Sequence, residues 1–435
     1  MARPSAPPPL RPSAPLEVIR DPLWDNIRLD AAALRALDTP AVQRLRYIRQ
    51  LGHAFLVYPG ATHTRFEHAL GAYHLARRAV AALEERGELE CVSDEECRDV
   101  LLAALLHDIG HYPFSHALEE AGFPSHEALG IGKLARGELG DALTGIGGDT
   151  LPSRIGDLVA GRSRSALQGL ISGSLDLDKI DYLSRDAFMC GVPYGTVDVD
   201  RLIASLTLVE TGGRLEVGVH EKGVSALESL LFAKYQMYRN VYWHHAVRAA
   251  TCMFKRAVRD AVAGGHVEAA TVAELTDDAL MELLVTRARS DLALGLRTRR
   301  LYKRALDLPA SDVPADAQPW LTEDPELTAQ LEDALAVAGG LAPGELLLDF
   351  PSRSSMLGVD LPLRLREGAV DRLTDEGRAG QLGLPRVADE LYRSARRLRV
   401  FVARPLVRSL EGVLGLLTLP AAELTRRLQE RQPLL

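Results

Sequence analysis

Apolar residues recur at intervals of three and four along most of the first 263 residues, which predicts a mainly α-helical chain. One helix is predicted to start at Pro40 and to run to Leu51, since proline is well tolerated in a first helical turn. Another is predicted to run from about residue 224 to residue 262. The clearest helix has a charged side and an apolar face formed by Leu70, Tyr73, Ala76, Val80 and Leu83.

A further helix ends at the adjacent pair His107-Asp108. Ser93 is a suitable N-cap for this helix, and Glu96 three residues later completes a capping-box pattern. Apolar residues at helical spacing lead from the cap to the pair, and the glycine and proline that follow stop the helix. The sequence therefore places an imidazole and a carboxylate at the end of an apolar helix.

Alternating apolar and polar residues, which are typical of strands, occur in only a few places. Residues 206–209 and 215–219 flank a glycine-rich turn and predict a β-hairpin. After about residue 264 the helical pattern weakens, prolines interrupt it, and residues 345–350 and 398–402 are predicted strands. The expected fold is mainly α, with a helical core and a small β-hairpin over residues 16–263. A C-terminal mixed α/β lobe, residues 264–435, is expected to serve oligomerisation or regulation.

Composition adds limits to this picture. Residues 1–15 contain six prolines and are expected to form a disordered tail. The net charge of −8 argues against a general nucleic-acid coat protein. Four cysteines without CxxC spacing indicate reduced thiols in the cytosol, and no run approaches 18 apolar residues. We therefore expect a cytoplasmic protein that does not span a membrane.

The pair His107-Asp108 is also the strongest indication of chemistry. Imidazole and carboxylate together suit a divalent ion such as manganese, magnesium, iron or zinc. His111 and His116 follow within nine residues and could transfer protons. The pattern indicates a metal-dependent hydrolase.

The remaining metal ligands must come from other helices. His68 lies on the preceding helix, which can pack beside the pair, and one carboxylate could come from a third helix at Asp176, Asp178 or Asp181. A lone histidine on an apolar helix is usually a core residue, and an aspartate-rich run is usually a solvated helix start. Their combination with the clustered histidines favours a metal site.

His68, His107-Asp108 and Asp178 match the H…HD…D signature of the HD phosphohydrolase superfamily. Residues 38–52, 58–71, 107–116 and 176–186 resemble, more narrowly, the deoxynucleoside triphosphate triphosphohydrolases. These include bacterial enzymes and the vertebrate enzyme that joins a sterile-alpha-motif domain to an HD domain. The resemblance covers roughly residues 16–250 and implies an HD-domain helical core. It also implies a divalent metal ion held by His68, His107, Asp108 and Asp178.

The resemblance implies a reaction and a role for each site residue. A deoxynucleoside triphosphate (dNTP) is hydrolysed at its α-phosphorus to deoxynucleoside and inorganic triphosphate, by a homo-oligomer such as a dimer or tetramer. The implied catalytic residues are the acid His116, its support Glu119, and His126 and His111 beside the phosphates. The implied substrate-binding residues are Gln50, Leu51, Arg65, His111, Lys179, Tyr182, Asp186 and Tyr242. Tyr242 would pack beneath the sugar and exclude a 2′-hydroxyl, although a plain core aromatic is the alternative.

The resemblance also suggests a nucleotide effector, a dNTP or GTP. The residues that match the effector site of the vertebrate relative are Val18, Asp38, Gln43 and Arg46. The family's basic residue before Val18 is here Glu17, which would repel a triphosphate, so packing or a helix start is the alternative role. The basic cluster at 297–304 could bind effector phosphates or single-stranded nucleic acid. A solvated helix face is the simpler interpretation, and nucleic-acid binding is not expected.

Two other classes of function remain open. One is an HD phosphodiesterase or phosphatase that acts on another nucleotide, although no Gly-Tyr-Pro extension follows the metal motif. The other is a non-catalytic HD protein that binds a nucleotide or a nucleic acid. The presence of His116, Glu119 and His126 argues against the second class, because a binding protein has no need of proton-transfer groups.

Overall fold

The computed structural model describes residues 17–351, 359–374, 384–410, 412–432 and 434. The tail predicted at residues 1–15 lies outside the described residues. None of the helices in the described part of the chain has both the length and the apolar content that a membrane span requires.

Helices form most of the chain between residues 31 and 263, which confirms the mainly α class. The longest, of 21 residues, packs against the two helices that carry the other predicted metal ligands. The helices are α1 Ala31–Leu37, α2 Pro40–Gln43, α3 Arg65–Glu85, α4 Asp94–Leu106, α5 His126–Leu134, α6 Gly137–Gly147, α7 Leu151–Val159, α8 Leu177–Cys190, α9 Val199–Ser205, α10 Val224–Met237 and α11 His245–Ala263.

The predicted start of α4 is confirmed by its hydrogen bonds. The Ser93 side chain accepts from the Glu96 N–H at 3.2 Å, and the Ser93 N–H donates to Glu96 Oε2 at 3.1 Å. Both bonds satisfy donors that a helix start would otherwise leave unpaired. The helix ends at His107, its C-cap residue, so the metal motif begins where the helix stops.

Two predicted helices are shorter than the sequence pattern indicated. The helix from Pro40 ends at Gln43, and a 3₁₀ turn leads into extended backbone at Ile48. This backbone pairs with the start of α3, because the Arg65 N–H donates to the Ile48 carbonyl at 2.9 Å. The helix predicted over 224–262 is also interrupted. It divides into α10 and α11 around a π-helical turn at Tyr238–Tyr242.

In the described part of the chain the strands form three sheets, of two, four and three strands. The predicted hairpin is confirmed as β3 (Leu206–Thr211) and β4 (Arg214–His220), joined by two glycines with positive φ. The predicted strands after residue 345 are confirmed as β6 (Leu346–Asp349) and β9 (Arg397–Val402). The strands are β1 Glu17–Asp21, β2 Asp25–Leu29, β3 Leu206–Thr211, β4 Arg214–His220, β5 Lys303–Pro309, β6 Leu346–Asp349, β7 Leu361–Arg364, β8 Val370–Leu373 and β9 Arg397–Val402.

The second half of the chain is mixed α/β, as the sequence predicted. Strands β5, β9 and β6 form an antiparallel sheet in that order, and apolar residues of the helix Pro325–Ala338 pack against it. Strand β7 instead pairs in parallel with β4, so it extends the core hairpin into a sheet of order β3-β4-β7-β8. The helices here are α12 Ala269–Val272, α13 Asp277–Thr286, α14 Asp291–Arg297, α15 Trp320–Glu323, α16 Pro325–Ala338, α17 Leu384–Ala395, α18 Val413–Leu416 and α19 Ala421–Gln429. The division at residue 264 stays a prediction.

The basic cluster at 297–304 is largely paired with neighbouring groups. Arg297 lies 2.7 Å from Glu282, and Arg304 lies 2.5 Å from Asp307. Arg299 donates to the Leu56 carbonyl at 2.8 Å. These contacts favour the interpretation of a solvated helix end over that of a nucleic-acid site.

Candidate metal centre and substrate cleft

Side chains from three helices converge on one point. His68 of α3 has its Nε2 atom 2.8 Å from Asp178 Oδ1 of α8 and 3.2 Å from His107 Nε2. Asp108 completes the group, with Oδ1 3.4 Å from His107 Nε2 and Oδ2 3.6 Å from His68 Nε2. Ligand atoms that share one ion at a distance of about 2.1 Å are themselves about 3 Å apart. His68, His107 and Asp178 are therefore close enough to hold one metal ion, and Asp108 lies beside them.

Hydrogen bonds on the far side of both histidines fit a bound cation. His68 Nδ1 lies 2.7 Å from Asp181 Oδ2, and His107 Nδ1 lies 2.9 Å from the Ala104 carbonyl. Each Nδ1 therefore carries the proton, which leaves the Nε2 lone pair free for a metal. Asp181 is itself held by Arg185, whose Nε donates to it at 2.9 Å. The donor set suits a divalent ion of the manganese, iron, magnesium or zinc group.

The surrounding charges favour a cation at this point. Burial alone would lower the pKa of His68, but hydrogen bonds to Asp178 and Asp181 outweigh it and raise the pKa to about 10. Burial would raise the pKa of the Asp178 carboxyl, yet hydrogen bonds to His107 and His68 hold it well below its ordinary value. Positive charge is thus stabilised where the ligand atoms meet, whether it is carried by a proton or by a metal ion.

A second polar cluster lies beside the candidate metal centre. Glu119 Oε1 is 2.9 Å from His126 Nδ1 and 3.3 Å from His116 Nδ1. The rings of His111 and His126 stack with centroids 3.8 Å apart, and His111 Nε2 lies 3.0 Å from Asp108 Oδ1. The sequence predicted this group, and the structure places it in contact with the candidate metal ligand Asp108.

The charges in this second cluster are divided between its members. Burial would lower the pKa of His126, but its hydrogen bond to Glu119 outweighs burial and raises it. Hydrogen bonds to His116 and His126 lower the pKa of the Glu119 carboxyl to about 2, against the effect of burial. Burial and the nearby Arg65 lower the pKa of His111. The cluster can therefore present a protonated imidazole next to a neutral one.

One cavity of about 830 Å³ connects both clusters. His68 is fully buried and lies behind the cavity wall. The other predicted metal, catalytic and substrate residues all line the cavity, namely Gln50, Leu51, Arg65, His107, Asp108, His111, His116, Glu119, His126, Asp178, Lys179, Tyr182, Asp186 and Tyr242. We call this cavity the substrate cleft.

The residues predicted to bind the sugar form a connected group in the cleft. The Tyr242 hydroxyl donates to Asp186 Oδ2 at 2.7 Å, and His63 Nε2 lies 2.8 Å from Asp186 Oδ1. Gln50 Oε1 is buried and has no hydrogen-bond partner within the described part of the chain. Tyr242 is therefore part of a polar group at the cleft wall, in contrast to a plain core aromatic.

Two residues predicted to bind phosphate already have protein partners. Arg65 is buried, and it donates to Asp108 Oδ2 at 2.6 Å and to Ser115 Oγ at 3.0 Å. Lys179 donates to Asp176 Oδ2 at 2.5 Å. Arg65 thus orients a candidate metal ligand in addition to lining the cleft.

The sequence offered Asp181 as an alternative metal ligand, but the structure places it behind His68, whose Nδ1 it contacts at 2.7 Å. Sequence reasoning missed two further residues that the structure places at the site. His63 contacts Asp186, although nothing in the local pattern distinguished it. Lys234 lines the cleft with 9% exposure, and burial lowers its pKa to about 8. The apolar run of α10 hid this lysine in the sequence.

The four predicted effector residues are not among the described residues that line the cleft. Gln43 donates to the Leu37 carbonyl, and Arg46 donates to Gln43 Oε1, both at 2.8 Å. The Arg46 guanidinium also lies 3.5 Å from the centre of the Phe66 ring. Asp38 caps the end of α1. These contacts agree with the packing interpretation of Asp38, Gln43 and Arg46, whereas Val18 is 53% exposed on β1.

Sequence comparisons identify two matching regions and several relatives. Residues 65–186 match the HD domain, and residues 197–376 match the HD associated region. An uncharacterized protein of Methanocaldococcus jannaschii is 38% identical over 292 residues, which cover 67% of this chain and 60% of that protein. The deoxynucleoside triphosphate triphosphohydrolase SAMHD1 of Homo sapiens is 31% identical over 264 residues, which cover 53% of this chain and 42% of that protein.

Solved structures are similar over nearly the whole chain. A hypothetical protein of Aquifex aeolicus superposes with a TM-score of 0.70 at 28% identity, covering 89% of this chain and 97% of that one. A phosphohydrolase of Bacteroides thetaiotaomicron superposes with a TM-score of 0.70 at 24% identity, covering 90% and 100%, and shows a shared fold. By contrast, the chain spans about half to three fifths of the length of the first curated relatives that it matches.

Proposed function

The chain belongs to the HD-domain family, and from that premise we propose that it is a metal-dependent phosphohydrolase acting on deoxynucleoside triphosphates. One observation carries the proposal. The Nε2 atoms of His68 and His107 and the Oδ1 atom of Asp178 lie within 3.5 Å of one another, with Asp108 beside them. The adjoining cleft also contains Glu119, which contacts both His116 and His126. The relatives named as dNTP triphosphohydrolases support the choice of substrate.

The candidate metal ligands would place Lewis-acid chemistry at one end of the cleft. A divalent ion bound there would supply polarisation of the α-phosphate and activation of water. Arg65 holds Asp108 in position for this role through its hydrogen bond of 2.6 Å. Lys179, Lys234 and Tyr182 line the neighbouring wall and would bind the phosphate oxygens.

The leaving group requires a proton, which the histidines of the cleft would supply. Cleavage at the α-phosphorus releases the 5′-oxygen of a sugar, which is a poor leaving group unless it receives a proton. His116 would donate this proton from Nε2, because its Nδ1 is 3.3 Å from Glu119. His126 shares the same carboxylate at 2.9 Å and would stabilise the phosphate charge. The product is a deoxynucleoside together with intact inorganic triphosphate.

The sugar contacts would distinguish deoxynucleotides from ribonucleotides. Asp186 and Gln50 would bind the 3′-hydroxyl, since Gln50 Oε1 is a buried acceptor that has no described partner. The Tyr242 ring is fixed by its hydrogen bond to Asp186, and it would pack beneath the sugar beside Leu51. The fixed Tyr242 ring would then leave no room for a 2′-hydroxyl.

The proposal is tested by incubating the purified protein with each dNTP and either Mn²⁺ or Mg²⁺. We expect triphosphate and deoxynucleoside as products, whereas release of pyrophosphate or monophosphate would contradict cleavage at the α-phosphorus. The double variant His107→Ala, Asp108→Ala should lose bound metal and activity together. His220→Ala, outside the cleft lining, is the matched control. Turnover of a cyclic nucleotide alone would favour the phosphodiesterase alternative.

We also propose that a nucleotide effector acts on the enzyme, and a substitution of Glu17 tests this part of the proposal. Glu17 lies on β1 next to the exposed Val18, where its charge would repel a triphosphate. Glu17→Lys should therefore create or strengthen a dependence of dNTP hydrolysis on added dGTP. An unchanged response to dGTP would count against an effector at this surface. The homo-oligomer and the cytoplasmic location stay predictions.

A further inference from the structure

The loop that carries His111 and His116 has a strained backbone. Phe114 and Ser115 both have positive φ, 58° and 62°, although neither is glycine. Such conformations are unfavourable for residues with a side chain, and they persist only where the surrounding contacts hold them. The contacts of Phe114 and Ser115 therefore decide where the following His116 lies.

Asp277, the first residue of α13, provides a contact from a distant part of the chain. Its Oδ1 accepts from the Phe114 N–H at 2.7 Å, and its Oδ2 accepts from the Arg49 N–H at 3.0 Å. Arg49 directly precedes Gln50, which lines the cleft. The Asp277 residue is only 2% exposed. One buried carboxylate thus joins the histidine loop to the segment that carries Gln50.

The side chains of Ser115 and Arg44 make further contacts between the same segments. Ser115 Oγ donates to the Arg49 carbonyl at 2.7 Å and accepts from Arg65 Nε at 3.0 Å. Arg44 donates to the His111 carbonyl at 3.0 Å, and the same guanidinium donates at 2.7 Å to the carbonyls of Ala273 and Leu275. The segment that leads into α13 is therefore tied to the histidine loop at more than one point.

We propose that Asp277 is a positioning residue, which fixes the positions of His116 and Gln50 relative to each other in the substrate cleft. Asp277 does not line the cleft, so it would act through the Phe114 and Arg49 backbone. The inference rests on the proposed function. Because Asp277 lies in the HD associated region, the inference assigns this region a part in positioning the catalytic residues. A displacement of about 1 Å in a catalytic group can lower turnover by about 100-fold.

The kinetic test compares Asp277→Ala and Asp277→Asn with Asp278→Asn. Asp278 is the exposed next residue in the same helical turn, so it is a matched control. We expect kcat to fall about 10- to 100-fold for Asp277→Ala, with KM within about threefold of the wild-type value. Asp277→Asn should lose less, because its amide oxygen keeps one of the two acceptors. Metal content should stay unchanged in all three variants.

Backbone hydrogen exchange provides a readout that needs no substrate. In Asp277→Asn, peptides that contain Phe114 and Arg49 should exchange faster than in Asp278→Asn, while peptides from α8 should not change. Unchanged exchange, or a kcat within twofold of wild type in Asp277→Ala, would overturn the inference. If the alanine variant does not fold, the asparagine variant decides. If the wild-type protein hydrolyses no dNTP, the proposed function fails, and exchange alone decides whether Asp277 holds the loop.

Discussion

Glu119 connects the two histidines that are candidates for the proton donor, and single substitutions can separate them. His116→Gln and His126→Gln keep side-chain size but remove the titratable ring. We expect His116→Gln, which lacks the proposed acid, to lose about 10²- to 10⁴-fold in kcat, and His126→Gln to lose less. Metal content, measured by elemental analysis, should stay at the wild-type level in both. His220→Gln is the control, and two fully active cleft variants would contradict an acid in this cluster.

Glu332 is a buried carboxyl that should make stability depend on pH. Burial raises its pKa to about 7, although the Leu348 N–H and Arg256 favour its charged form. Because this pKa lies above the unfolded value, the contribution of Glu332 to stability is full below about pH 4 and is lost as the pH rises through 7. Glu332 therefore stabilises the folded protein more at acid pH than at neutral pH.

Glu332→Gln removes this titration and keeps an acceptor for the Leu348 N–H. Between pH 5 and pH 8, the free energy of unfolding of the variant should rise relative to wild type by about 1–3 kcal/mol. Denaturant unfolding at both pH values measures the difference. Glu326→Gln, an exposed position of the same helix, should show no such trend. A change of opposite sign would contradict the direction of the pKa shift.

At the scale of elements, α4 shows how a local signal supports a distant site. The capping box of Ser93 and Glu96 begins the helix, and His107 ends it. A helix of 13 residues is about 20 Å long, so the cap is far from the metal ligands. The cap should therefore contribute to stability alone.

Ser93→Ala should lower the free energy of unfolding by about 1 kcal/mol, because it leaves helix-start donors unpaired. We expect the kcat and the metal content to stay at their wild-type values. Thermal and denaturant unfolding measure the stability, with Ser229→Ala, a substitution inside α10, as the control. A loss of activity without a loss of stability would show that the cap does more than start the helix.

The π-helical turn at Tyr238–Tyr242 is an element that periodicity could not reveal. Apolar spacing across residues 224–262 is helical throughout, and it predicted one long helix. The turn and the break at Trp243 instead reorient the chain, so that the Tyr242 hydroxyl reaches Asp186. Such turns are frequent at functional sites, because the wider turn redirects a side chain without ending the helix.

At the scale of the whole molecule, a buried charge network joins the two halves of the chain. Arg248 of α11 lies 2.6 Å from Asp349 of β6 and 2.8 Å from Glu120, the neighbour of Glu119. Arg399 of β9 lies 3.3 Å from the same Asp349. The network therefore connects the C-terminal sheet, a core helix and the turn beside the substrate cleft.

Asp349→Ala would leave two buried guanidinium groups without their shared carboxylate. We expect the free energy of unfolding to fall by about 3 kcal/mol, because two buried guanidinium groups lose a carboxylate while Arg248 keeps Glu120 and Arg399 keeps the Trp243 carbonyl. Equilibrium unfolding measures the loss, and Asp312→Ala, an exposed position, should stay within about 0.5 kcal/mol of wild type. A loss below about 1 kcal/mol for Asp349→Ala would show that the remaining partners of the two arginines compensate for the carboxylate.

Local sequence patterns predicted the features that depend on neighbours in the chain. Helical spacing predicted α3, the capping pattern predicted the start of α4, and the glycine-rich turn predicted the β3–β4 hairpin. The family resemblance also pointed to the candidate metal ligands and to residues that line the cleft. These signals need only a few residues in sequence to be interpreted.

The features that join distant segments became visible in the folded chain alone. Asp277 meets Phe114 across 163 residues, and Asp181 meets His68 across 113. The parallel pairing of β4 with β7 and the early end of the helix at Gln43 likewise depend on remote partners. No local pattern specifies such contacts, because the free energy of a buried hydrogen bond depends on which groups the completed fold brings together.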